Sequence, residues 1–179
     1  MRRIVVAALL WVALPAAAQN TPPPPDWGPW AALEGSWVAE GASSGQPGQA
    51  TSGGFTFEFQ LDKHIFVRRN FARYPGFRHD DLAVMTPRRA TYWDNEGHAI
   101  EYAVESLDDG KTLRWVSAPA AGAPRFRFTY RRLSAARLAV VFEMAPPGQP
   151  EAFKVYTEAT VRRQRGSSGA SWPHDGGPK

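Results

Sequence analysis

The sequence predicts an all-β fold, an antiparallel up-and-down β-barrel of about ten strands with a short N-terminal helical plug. Three observations lead there. Between Leu33 and Arg163 apolar and polar residues alternate with a period of two. The alternating runs are broken at short intervals by Gly, Pro, Asn and Asp clusters, the residues that turns require. Only one stretch has helical character, and it is too short to form a layer.

Composition limits the chemistry. The chain has 179 residues, enough for one domain, with 43% hydrophobic and 12% aromatic residues, which is the composition of a chain that folds. It has no cysteine, so disulfides, thiolate metal sites, cysteine nucleophiles and a lipid-attachment thiol are excluded.

Taken in order, Met1-Arg2-Arg3 is basic, Ile4 to Leu14 is apolar, and Pro15-Ala16-Ala17-Ala18 supplies small residues before Gln19. This is the pattern of a signal peptide over 1–18, cleaved after Ala18. The apolar run is too short to span a bilayer, which takes roughly 20 residues. Its removal takes Arg2 and Arg3 from the 21 basic residues that face 17 acidic ones, so the mature chain carries only +2. Export points to a periplasmic or secreted protein, with no transmembrane helix after cleavage. Residues 19–28 hold Pro22-Pro23-Pro24-Pro25 and form an extended tether. The barrel domain covers 29–164, and 165–179, rich in Gly, Ser and Pro, is a flexible tail.

Within the domain, Pro29-Trp30-Ala31-Ala32-Leu33-Glu34 is the helical stretch, with Pro in its first turn and Gly35 as terminator. It is placed as a plug over one barrel end. Strands follow at Phe55 to Phe59, Ile100 to Val104, Arg125 to Tyr130, Leu138 to Met144 and Phe153 to Val161. Turns fall at Asp62-Lys63, Pro75-Gly76, Pro87-Arg88, Asn95-Glu96-Gly97, Asp108-Asp109-Gly110, Ala121-Gly122, Ser134-Ala135 and Pro147-Gly148. Short turns make consecutive strands antiparallel neighbours, and a sheet of that size closes to bury its apolar face and its edges. Alternation alone does not say which face is outside. Short strands and a Pro/Gly-rich tail favour a barrel in water over an outer-membrane one.

Leu33-Glu34-Gly35-Ser36-Trp37 carries the Gly-x-Trp start of lipocalin-like (calycin) barrels. With Phe55 to Asp62, Phe66-Val67-Arg68-Arg69 and Arg125 to Tyr130, the chain from Leu33 to Arg163 resembles a family of exported bacterial proteins of unknown function with a lipocalin-like barrel. The resemblance implies a barrel that holds a small apolar ligand, and a base in which the Trp37 of Gly35-x-Trp37 lies under an arginine from the end of the barrel, Arg162 or Arg163. Related haem-binding barrels supply an axial histidine late in the chain. Val155 to Val161 has none and His174 lies in the tail, so no cofactor is expected.

Most reactive-looking groups have plainer readings. Gly41-Ala42-Ser43-Ser44-Gly45 matches a nucleophile elbow in letters, but Gln46-Pro47-Gly48 follows where a helix is needed. His79-Asp80-Asp81, near Asp94 and His98, reads as a solvated turn in preference to a metal site. His64 reads as a rim residue, and Glu101 with Glu105 as a solvated strand face. The arginine pairs are scattered among acids, which argues against nucleic acid. No catalytic or metal-binding residue is assigned.

Arg69 shares strand parity with Ile65, Val67 and Phe71, so if that set faces inward its guanidinium enters the barrel, at a mouth that reaches water or as the partner of an anionic head group. The other inward residues expected are Phe57, Phe59, Tyr102, Trp115, Phe128, Tyr130, Phe142 and Met144. They are either core or the lining of a pocket for a small hydrophobic or amphipathic molecule. The expected function is therefore an exported binding protein. The alternatives are an envelope interaction module with a filled barrel and, third, an enzyme of unknown reaction. Oligomeric state is open.

Overall fold

The computed structural model describes residues 21–40 and 52–164. The expected leader over 1–18, the Gly41 to Gly45 motif and the tail over 165–179 lie outside the described residues. A 3-10 helix at Gly28–Leu33 leads into ten strands: β1 Gly35–Ala39, β2 Ser52–Gln60, β3 Ile65–Tyr74, β4 Phe77–Thr86, β5 Arg89–Asp94, β6 Ala99–Leu107, β7 Thr112–Ser117, β8 Arg125–Ser134, β9 Arg137–Ala145 and β10 Lys154–Arg163. Each strand pairs antiparallel with the next, and β10 returns to β1, which closes the up-and-down barrel. All eight expected turns join strands here, and the expected helical stretch is the 3-10 helix.

The period of two sets the interior. Across neighbouring strands, Phe57 lies opposite Arg68, Arg68 opposite Ala83, Ala83 opposite Tyr92, Trp115 opposite Phe128 and Phe128 opposite Phe142. These residues form inward rows, because alternate side chains share one face of a strand. The outward rows carry charge, with the pairs Arg114 to Glu105 at 2.6 Å and Arg127 to Glu143 at 2.5 Å.

One end is stoppered. Trp27, Trp30 and Leu33 are buried there. Trp30 stacks on Trp115, Trp27 meets the edge of Phe59, and the Trp27 indole donates to the Lys63 carbonyl at 2.7 Å. Trp37, almost wholly buried, donates from Nε1 to the Leu33 carbonyl at 2.8 Å. Arg163 lies over its ring, Cζ 4.3 Å from the centroid, a cation-π contact. The same guanidinium donates to the carbonyls of Ala32, at 2.6 Å, and of Glu34. It thus ties down acceptors that the end of a short helix leaves free. Gly35 makes this possible: its φ is +116°, and a Cβ there would come within 2.9 Å of Arg163 Nη1. Arg162, one residue earlier, faces outward opposite Val38 and is exposed.

Above the plug the interior is filled by rings. Phe57 stacks on Phe66 at 5.0 Å, Phe59 on Phe66 at 4.4 Å, and Trp115 meets Tyr130 edge-on at 5.6 Å.

Candidate functional site

The half of the barrel away from the plug holds a cavity of about 920 Å³. Its volume comes from small inward residues near the strand ends: Ala39 of β1, Gly53 of β2, Ala72 of β3 and Ala159 of β10 all line it. Phe77 and Tyr156, each 55% exposed, belong to its rim.

The two walls differ. Strands β8 to β10 give an apolar one, in which Phe142 stacks on Phe128 at 4.4 Å and on Phe126 at 5.9 Å, with Tyr156 edge-on at 5.8 Å. Strands β3 to β5 and the turn after β5 give a polar stripe. Deepest in it is Arg68, 2% exposed, hydrogen-bonded through Nη1 to Asp81. Its guanidinium also lies 5.3 Å from the Phe55 ring, 5.5 Å from Phe128 and 5.9 Å from Trp115. Burial opposes the charge and is the largest single influence, but Asp81 together with Tyr130, Tyr92 and Tyr102 outweighs it, and the pKa of Arg68 is raised. Among the described residues its Nε has no hydrogen-bond partner.

From Asp81 the stripe runs toward the mouth. Asn70 donates to Asp81 Oδ2 at 2.7 Å, and His79 Nε2 lies 3.4 Å from the same oxygen. His79 Nδ1 lies 2.8 Å from Glu96 Oε1, and Nε2 lies 3.1 Å from the Tyr92 hydroxyl. Tyr92 donates to Asp94 Oδ2 at 3.2 Å, which also lies 2.8 Å from His98 Nδ1. Asp81 raises the pKa of His79 to about 9 against the cost of burial, with help from Glu96, so the imidazole is protonated at neutral pH and both its nitrogens donate. Burial alone would raise Asp94, but the backbone N–H and imidazole of His98, with the backbone N–H of Glu96, bring it below the usual value. Burial pushes Tyr92, Tyr102 and Tyr130 far above the ordinary phenol range, so they remain neutral hydroxyls.

Two expectations are corrected by this geometry. Arg69 does not enter the barrel: its side chain is 43% exposed and lies 3.8 Å from Glu58 on the outer face. The inward arginine is Arg68, because hairpin register puts Phe57, of the aromatic row, opposite residue 68. His79-Asp80-Asp81 is not a solvated turn either. All three residues lie inside β4, and the Asp81 carboxylate is buried against Arg68 and Asn70. Its ion-pair partner, 13 residues earlier on the neighbouring strand, stabilises it there.

Of the other expected lining residues, Tyr102, Phe128, Phe142 and Met144 border the cavity. Phe57, Phe59, Trp115 and Tyr130 belong to the ring-filled layer toward the plug. The sequence reading missed Arg68, Asn70, Tyr92 and Phe126. Of these, Arg68 and Asn70 were accessible by counting pairs outward from the Asp62-Lys63 turn, and Phe126 by its shared parity with Phe128.

No protein-family model matches the chain, and no curated protein matches it. What defines the molecule is its geometry, a closed ten-stranded antiparallel barrel with a stoppered half and a hollow one.

Proposed function

We propose that this chain is an exported binding protein that holds one small amphipathic molecule in the hollow half of its barrel. The observation that carries the reading is a cavity of about 920 Å³ with one apolar aromatic wall and one polar wall. Ligand pockets begin at roughly 300 Å³, whereas the interior of a small barrel acting only through its surface is filled. The apolar body of the ligand lies on Phe126, Phe142 and Tyr156, and its polar group faces Tyr92 and the carboxylates of the stripe. Export rests on the leader pattern over 1–18, and the charged outer rows suit a barrel that stands in water. The lipocalin-like resemblance adds to the reading through the Trp37 and Arg163 base.

Native mass spectrometry of protein purified from its own envelope tests the proposal. The expected result is a discrete added mass that organic extraction removes. A bare polypeptide that also takes up no amphipathic probe would overturn it.

A further inference from the structure

The charge and shape of the cavity say more about its occupant, on the reading that it binds a ligand at all. We propose that the site selects aromatic molecules that carry a hydrogen-bond donor and no anionic group.

Selection against anions follows from the balance of charge along the stripe. Arg68 and His79 are the positive groups of the stripe, and three carboxylates, Asp81, Asp94 and Glu96, stand beside them. Arg68 gives Nη1 to Asp81, and its guanidinium is flanked by the rings of Phe55, Phe128 and Trp115. His79 has Glu96 on one nitrogen and Tyr92 and Asp81 on the other. Among the described residues Arg68 keeps its Nε unpartnered, but that atom is buried beside Asp81, and a ligand carboxylate would meet three acidic groups set against two cations. Like charges in a partly desolvated site cost more than they do in water.

Selection for a donor follows from the same count. Each ionised carboxylate offers about four acceptor positions, and the hydrogen bonds among the described residues leave some of them open on Asp81 and Glu96. Selection for a flat aromatic body follows from the opposite wall. On that wall Phe126 and Phe142 are inclined by only 14°, and on the polar side, at the rim, Tyr74 and Phe77 by 3°. Such faces favour offset stacking with another ring over contact with a flexible acyl chain.

A matched pair of probes tests the inference. N-phenyl-1-naphthylamine is uncharged and has an N–H donor. 8-Anilino-1-naphthalenesulfonate has the same rings and adds a sulfonate. Fluorescence titration of the full chain should show the uncharged probe binding at least about ten-fold more tightly, a difference of roughly 1.4 kcal/mol. Glu96→Gln removes one carboxylate from an exposed position and should narrow that gap by strengthening sulfonate binding. Equal or tighter binding of the sulfonate by the wild type would overturn the inference while leaving the binding function intact. A gap that Glu96→Gln leaves unchanged would assign it to hydrophobicity and also overturn it. Failure of both probes would remove the binding function together with the inference.

Discussion

The stoppered half of the barrel and the hollow half are built from the same strands, yet one is packed with rings and the other encloses about 920 Å³. The difference is one of side-chain size along each inward row. Toward the plug the rows present Trp37, Phe57, Phe66, Met85, Trp115 and Leu138, all essentially buried, and the plug adds Trp27 and Trp30. Toward the mouth they present Ala39, Gly53, Ala72 and Ala159, and the stacked phenylalanines there lie along one wall. A single alternating pattern therefore supports both a core and a pocket, and the choice between them is made by volume along each strand.

The largest expected effects separate these halves. Phe57→Ala should destabilise the fold by about 3 to 5 kcal/mol, because a fully buried ring leaves a cavity. Phe126→Ala, on a wall that already borders open volume, should cost about 1 kcal/mol and weaken binding of an aromatic probe. Urea unfolding of both variants measures the contrast, and equal losses would erase the distinction between halves.

The boundary between the halves is the Arg68 and Asp81 pair. Asp81→Asn leaves a buried guanidinium uncompensated and should cost about 3 to 5 kcal/mol, whereas the double change Arg68→Met with Asp81→Leu should recover most of that loss. A double variant no more stable than Asp81→Asn would mean that the pair is not what holds this layer.

A smaller effect depends on pH. The folded-state pKa of His79 is raised from 6.5 to about 9 by Asp81 and Glu96. The protonated form is the stabilising one, so its contribution is complete below about 6.5 and is lost as pH rises through about 9. On the order of 2 to 3 kcal/mol should disappear over that window. Unfolding titrations of His79→Gln should lack this component, and an identical pH profile in the variant would contradict the assignment.

The smallest effect is expected at Arg69. Arg69→Leu removes an exposed pair with Glu58 at 3.8 Å and should change stability by no more than about 0.5 kcal/mol, with probe binding unaltered. Thermal unfolding and the same titration check both.

Arg69 also shows how far the sequence could be read. The closed barrel and its turns were legible because the alternation in β2 and β8 is clean and every turn carries Gly, Pro, Asn, Asp or Ser. Strand β3 is apolar on both faces: Phe66 lies inside, and Val67, only 5% exposed, belongs to the outer row with Arg69. Counting apolar residues there selects the row of Val67 and Phe71, while the true inward row contains Arg68 and Asn70. Those polar residues are stable inside because Asp81 meets them from β4, a partner that parity within one strand does not reveal. The register of the preceding hairpin does carry the answer, since a pairing of Phe59 with Phe66 fixes Phe57 opposite Arg68. The volume of the hollow half was not legible, because it depends on how ten rows of residues meet in space.

The most direct test fills that volume. Ala159 borders the cavity on β10, opposite Val140. A titration of Ala159→Trp with N-phenyl-1-naphthylamine, beside the wild type, asks whether the hollow half is the binding site. The expected result is saturable one-to-one binding by the wild type and at least about a ten-fold loss in the variant, with its unfolding free energy within about 1 kcal/mol of the wild type because the indole enters existing space. Undiminished binding by the variant, or a destabilisation of about 3 kcal/mol such as overpacking produces, would contradict the account.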